Sequence, residues 1–385
     1  MPKGYRIAFL TSIDPTNKLK LSGSPYYIMR ALSRYVGEVT PIGPVTLGHF
    51  FLPYLIRFFK KLPRPYNLNH SYVFAYFYAR AFEKKLKGKN YDFIFAPRSS
   101  TEIALLKTDI PILYYSDTTF HSMYNYYSWF SHFCRLSEIE GNNIERLAIK
   151  NSAVSVFASK WAADSAINYY QTPKNKIRVV PFGPNVDIIP SREKLDHPKS
   201  REICKLLFIG VEWERKGGQI AFETLLELKR NHIKTQLTVL GVKPPDDIYN
   251  EDLIVIPFLN KNINAESDQF NQLLLENHFL ILPTREECFG VVFCEASAYG
   301  LPSLATDTGG IPTAVVNGKN GFRFAPDARG HEYAQKIIEY FTDYDSKYIP
   351  LSQSARQYYE DTLNWESFGT TIKSIANDFL NQNSE

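Results

Sequence analysis

Short apolar runs alternate with amphipathic stretches along this chain in two successive series, and that alternation constrains the fold more than any other feature. In the first series, runs at 6–11, 92–96, 110–115, 155–158 and 178–181 have the length of buried strands. Segments at 25–35, 137–151 and 160–170 have helical character, and Ser159 is a good N-cap for the last of them. The pattern breaks at 187–201, DIIPSREKLDHPKSR, which is charged, holds two prolines and lacks a sustained apolar period. A second series follows, with strands at 205–210, 235–240, 253–257, 279–283, 302–305 and 321–324, helices at 218–230 and 291–300, and a helical tail from 331 onward. Helices that follow strands in this way predict an α/β protein: two Rossmann-like, doubly wound parallel-sheet domains facing a central cleft. The expected division is 1–187 for the first domain, 188–201 for a linker, 202–365 for the second domain, and 366–385 for a C-terminal helix packing back on the first.

Composition narrows the function classes. The chain has 385 residues, enough for two domains with full cores, and its 22% charged and 15% aromatic content excludes a disordered or fibrous chain. Cys134, Cys204, Cys288 and Cys294 form no C-x-x-C pair, which argues against a disulfide scaffold and a zinc ribbon. The reading is four reduced thiols in a cytoplasmic protein. No signal-peptide core follows Met1, and no apolar run approaches the ~18 residues of a membrane span. A net charge of +4 gives no reason to expect nucleic acid. That charge is uneven, however. Residues 44–90 hold nine Lys and Arg against Glu83 alone, together with twelve Phe and Tyr. Such a surface suits peripheral contact with an anionic membrane face, here the inner one. Asp343-Tyr344-Asp345 is a D-x-D string in a polar turn without a preceding apolar strand, and reads as surface.

The chemistry concentrates in residues 281–322, ILPTREECFGVVFCEASAYGLPSLATDTGGIPTAVVNGKNGF. A strand ends at Pro283, a loop delivers Glu287-Cys288-Phe289-Gly290, and a helix opens near Val291. Glu295 lies eight residues beyond Glu287, on the first turns of that helix. Carboxylates accept strongly from hydroxyls, and the opening amides of a helix favour an anion between them. Gly290 permits close approach of the backbone. A sugar nucleotide has this layout: sugar hydroxyls, diphosphate, ribose hydroxyls.

This segment resembles the E-x7-E region of the family 4 glycosyltransferases, which have the GT-B fold. The resemblance extends over nearly the whole chain. Gly210-Val211-Glu212-Trp213-Glu214-Arg215-Lys216-Gly217-Gly218 looks like the family's strand–loop ending in R-K-G, and Thr308-Gly309-Gly310-Ile311-Pro312 like its G-G-x-P loop. Val179-Val180-Pro181-Phe182-Gly183-Pro184-Asn185-Val186-Asp187 is similar to the segment closing the N-terminal domain, and Ser22-Gly23-Ser24-Pro25 resembles the glycine loop facing the diphosphate. Two positions depart from the pattern: Val211 stands where many members have Arg, and Thr313 where they have Glu.

The resemblance implies a retaining hexosyltransferase. Such an enzyme would use a UDP- or GDP-linked sugar and transfer to a saccharide or lipid-linked acceptor in cell-surface glycan or glycolipid synthesis. It implies no metal or other cofactor. The N-terminal domain would bind the acceptor and the C-terminal domain the nucleotide sugar. Lys216 and Arg215 would neutralise the diphosphate. Glu287 would bind the transferred sugar, aided by backbone groups of Cys288, Phe289, Gly290 and Val291, and Glu295 the ribose. Phe258 and Leu259 would pack the base. His121 would face the donor sugar, and Gly23 and Ser24 the diphosphate, although Gly23, Ser24 and Pro25 would equally serve as a helix start. The rival readings are a sugar-nucleotide epimerase or a glycan phosphorylase on this fold, and a non-catalytic glycan- or lipid-binding protein. A dinucleotide oxidoreductase is disfavoured because no G-x-G-x-x-G follows the first strand.

Overall fold

The computed structural model describes residues 4–47, 63–195 and 199–382. The chain divides into two compact units: one runs to Val180 and takes in the residues from Phe368, and the other spans Pro181–Ser367. No helix among the described residues is long and apolar enough to cross a membrane.

In the first unit, β1 (Tyr5–Phe9), β2 (Gly37–Pro41), β3 (Phe93–Pro97), β4 (Ile112–Ser116), β5 (Val154–Phe157) and β6 (Ile177–Val179) form one sheet in the order β2-β1-β3-β4-β5-β6. Every pairing is parallel. β3, β4 and β5 are buried throughout, which is why they read as unbroken apolar runs rather than alternating ones. β2 escaped the sequence pattern. Its residues, GEVTP, include one aliphatic side chain, and as a half-exposed edge strand it needs no apolar run. The helix Ser24–Tyr35 buries Tyr27, Ile28, Ala31 and Leu32, one face at helical spacing. The C-terminal helix Trp365–Gln382 belongs to this unit from Phe368 on. There the Phe368 ring lies 5.4 Å from Tyr115, and Phe379 lies 6.0 Å from Phe93.

In the second unit, β7 (Cys204–Ile209), β8 (Thr235–Leu240), β9 (Leu253–Ile256), β10 (Phe279–Leu282), β11 (Ser303–Thr306) and β12 (Gly321–Phe324) form a sheet ordered β12-β11-β10-β7-β8-β9, again wholly parallel. Both units therefore have the doubly wound α/β architecture expected from the alternation. Strand order reverses between β7 and β10, which pair through Phe279↔Leu206 and Leu280↔Leu207. Loops leaving the carboxyl ends of two such strands part to opposite faces and leave a crevice for a ligand. The described part of stretch 188–201 lies inside this unit. Arg192 pairs with Glu360, the Tyr299 hydroxyl donates to the Ile188 carbonyl at 2.8 Å, and Arg356 donates to the Pro190 carbonyl at 2.9 Å.

Candidate active site

The candidate site is built by the loops that follow β7 and β10, where the strand order reverses. After β7, the chain makes a short helix, Trp213–Lys216, whose Trp213 is buried against Phe208 at 5.8 Å. Gly217 then takes a left-handed conformation, φ +76°, and starts the helix Gly218–Arg230. A Cβ at Gly217 would stand 2.0 Å from the Pro283 carbonyl oxygen, so the two loops touch at a point only glycine fits. Hydrogen bonds then stitch them together. The Arg285 amide donates to the Arg215 carbonyl at 2.7 Å, and the Thr284 hydroxyl donates to the same oxygen at 3.1 Å. In return, the Arg215 guanidinium donates to the Glu286 carbonyl at 3.1 Å, while its other nitrogens hold Glu212 at 2.7 and 3.0 Å.

This seam brings the Lys216 ammonium onto the Glu287 carboxylate, as an ion pair in which each side chain is only 14% exposed. A third loop is tied in where the Gly310 amide donates to the Glu287 carbonyl at 3.1 Å. Beyond Glu287, Gly290 is also left-handed, φ +83°, and caps the helix Val291–Ala298, whose first turn carries no acidic residue. Its opening amides keep their share of positive dipole available for an anion. Cys288 and Phe289 are buried, and Phe289 lies edge-on to Phe182 at 5.1 Å. Their side chains are core, which leaves the backbone of 288–291 as what the turn can present.

Glu295 sits on the second turn of the helix, 4% exposed. It is joined there by a residue not expected from the sequence. Lys261 donates to Glu295 Oε1 at 2.7 Å and to the Asn185 carbonyl at 3.2 Å, and its ammonium lies 4.0 Å from the centre of the Phe270 ring. Lys261 is three residues past Phe258, which is 58% exposed, and two past the half-buried Leu259, in the loop after β9. A single Lys in the run Leu259-Asn260-Lys261-Asn262 carries no spacing signal. Val211, where an Arg was missed, is 59% exposed.

Gly23, Ser24 and His121 lie in the first unit. Leu21, Ser22 and Gly23 are three consecutive left-handed residues, φ +50°, +56° and +84°, leading into the helix at Ser24 with Pro25 second. His121 is the second residue of the helix Phe120–Met123, which follows β4 and is capped by Thr119 and Ser122 in a capping box. Its ring stacks on Tyr169 at 3.4 Å, 7° from parallel, and its amide donates to the Tyr170 hydroxyl at 3.0 Å. Partial burial lowers the imidazole pKa, with Glu138 opposing. Close by in the chain, Glu145 is buried and accepts from the Tyr114 hydroxyl at 2.9 Å, and burial pushes its carboxyl up to about 7. In the sequence it reads as one more solvated helix charge.

Asp343 and Asp345 are exposed and paired with Lys347 and Arg201, in keeping with a surface turn. Among the described residues, no group of three or more His, Cys, Asp and Glu side chains is arranged to hold a metal ion.

Residues 26–187 match the family model described as Glycosyltransferase Family 4, and residues 204–343 match that described as Glycosyl transferases group 1. The D-inositol 3-phosphate glycosyltransferase of Corynebacterium jeikeium (strain K411) is 26% identical over 194 residues, which cover 46% of this chain and 46% of that protein. The chain thus spans about half the length of the curated relatives it matches. A glycosyltransferase from Rickettsia africae ESF-5 superposes with a TM-score of 0.62 at 16% identity, covering 99% of each chain. Anabaena Alr3699/HepE, solved in complex with UDP and glucose, superposes with a TM-score of 0.61 at 14% identity, covering 97% of this chain and 99% of that one. At these identities the likeness carries the GT-B fold.

Proposed function

We propose, on the premise that this chain is a family 4-like glycosyltransferase with the GT-B fold, that it moves a sugar from a UDP- or GDP-linked donor to a saccharide or lipid-linked acceptor, with retention of anomeric configuration, in cell-surface glycan or glycolipid synthesis. The observation that carries the reading is the Lys216–Glu287 pair, set at the switch point of the second sheet beside the opening of the Val291–Ala298 helix.

The reaction breaks the bond between the anomeric carbon and the donor phosphate, so negative charge grows on the leaving diphosphate while positive charge grows on the sugar. In this proposal Lys216 meets the diphosphate with the helix amides, and Arg215 adds charge while bracing the two loops. Glu287 accepts from hydroxyls of the transferred sugar and Glu295 from the ribose. Phe258, with its exposed ring, and Leu259 pack the base. Gly23, Ser24 and His121 are assigned to the diphosphate and donor sugar on the family resemblance. No metal is required in this scheme, because cations and amides of the chain itself face the developing charge.

A thermal-shift panel of UDP-, GDP- and ADP-sugars tests the donor class. A ligand that binds only the folded form stabilises it by about 2.7 kcal/mol at a hundredfold excess over Kd. A UDP- or GDP-sugar is expected to raise the melting temperature by several degrees and ADP-sugars to do little. A flat response to all three overturns the reading.

We further propose peripheral contact with an anionic membrane through residues 44–90. Residues 48–62, with Arg57, Lys60, Lys61 and five of the aromatics, lie outside the described residues. In the described part, the helix Tyr72–Leu86 exposes Tyr72, Tyr76 and Phe77, and the Arg80 guanidinium lies 5.5 Å from the centre of the Tyr76 ring. Aromatic bodies for the headgroup boundary and cations for anionic lipid support this assignment. In liposome flotation, the protein is expected to rise with phosphatidylglycerol vesicles and stay behind with phosphatidylcholine alone. Equal recovery from both would remove electrostatic docking.

A further inference from the structure

We infer that Lys261 is a positioning residue for the nucleotide's ribose, acting through Glu295. The inference rests on the reading of Glu295 as the ribose-binding carboxylate. Glu295 is nearly inaccessible on the helix Val291–Ala298. Taking a carboxylate out of water is costly, and a partner cation in good geometry offsets that cost. Lys261 supplies that cation at 2.7 Å on Oε1.

Three restraints act on the lysine at once. Besides Glu295, its ammonium donates to the Asn185 carbonyl at 3.2 Å and lies over the Phe270 ring at 4.0 Å, and its side chain is 26% exposed. These partners come from separate parts of the second unit: the segment after Pro181, the helix Asn264–Glu276 and the helix Val291–Ala298. A flexible four-carbon stem held at its tip by three elements becomes a fixed point, and a carboxylate hydrogen-bonded to a fixed point loses its own rotamer freedom. A carboxylate offers about four lone-pair sites, so Oε1 engaged by one ammonium leaves capacity for a vicinal diol. Held in one rotamer, that capacity is aimed before the ligand arrives. Lys261 therefore serves discrimination between ribose and deoxyribose rather than diphosphate charge, which falls to Lys216.

The experiment compares nucleoside diphosphates by titration calorimetry, using UDP and GDP with their 2′-deoxy and 3′-deoxy counterparts. The proteins are wild type, Glu295→Ala, Lys261→Met and Lys261→Arg, each first melted without ligand to establish folding. Wild type is expected to prefer the ribose form by about tenfold or more, the size of a hydrogen bond to a charged group. Lys261→Met is expected to bring that ratio close to one, as Glu295→Ala does, with a raised donor KM and a smaller change in kcat, while Lys261→Arg restores part of the ratio. A folded Lys261→Met protein with the wild-type ratio overturns the inference while leaving Glu295 in place. If Glu295→Ala itself keeps the ratio, the ribose reading fails and the inference with it. If Met at 261 prevents folding, Lys261→Arg decides: an unchanged ratio despite its altered geometry overturns the proposal, and a reduced one supports it.

Discussion

Lys216→Ala is expected to lower turnover by ~10²–10³, the usual cost of removing one preorganised donor from a developing negative charge. The expectation follows from placement. Lys216 leads out of β7 at the strand-order reversal and is held there by a turn that tolerates no side chain at Gly217. The Lys216 side chain is 14% exposed, so little solvent screens its charge from an anion at this site. The substitution also leaves Glu287 without its cation, which costs stability of its own. The check is therefore kcat measured at saturating donor on protein shown to be folded by its melting curve, with Lys216→Met as a second variant that keeps more of the side chain's volume. A folded variant with near-normal turnover would take Lys216 out of the diphosphate site.

Glu287→Ala is expected to separate two affinities that a single binding constant conflates. Hydrogen bonds to a charged group are worth roughly 1.5–3 kcal/mol, so binding of the intact sugar nucleotide is expected to fall by roughly 10- to 100-fold. Free nucleoside diphosphate is expected to bind at least as tightly as before. Glu287 pairs with the Lys216 ammonium, so a diphosphate that reaches this cation competes with that carboxylate. Removing it releases the cation. Calorimetric titration with the nucleoside diphosphate and its sugar ester, side by side, gives both numbers. Parallel losses for the two ligands would contradict the assignment of Glu287 to the sugar.

Much of the molecule is legible in the sequence. Eleven of the twelve strands among the described residues fall on apolar runs, and the inner ones do so because strands of a parallel sheet with both faces covered have no reason to alternate. The exception, β2, lies at an edge where burial makes no such demand. The R-K-G turn and the E-x7-E spacing were legible for a related reason: each is a strand–turn–helix whose geometry is set within a few residues, and the left-handed Gly217 and Gly290 sit where a chain with Cβ atoms would be obstructed. What escaped were relations between distant positions. Glu145 has the look of a surface helix residue, and only its place against β4 shows it buried beneath a tyrosine hydroxyl. The Tyr169 ring that holds His121 face to face comes from a different helix segment 48 residues on.

The sequence by itself determined most of the local units: all the described strands but β2, where the turns are sharp, that Arg215, Lys216 and Glu287 stand in turns after strands, and that Glu295 stands on the helix that follows. These follow from period, from glycine and from capping, all short-range constraints. Only the tertiary structure decided which units become neighbours. Strand order puts β10 beside β7, and with that choice Lys216 meets a carboxylate 71 residues away, while the loop after β9 delivers Lys261 to Glu295 34 residues away. No residue spacing encodes such a meeting, because it results from the order in which strands and their covering helices pack to bury apolar surface.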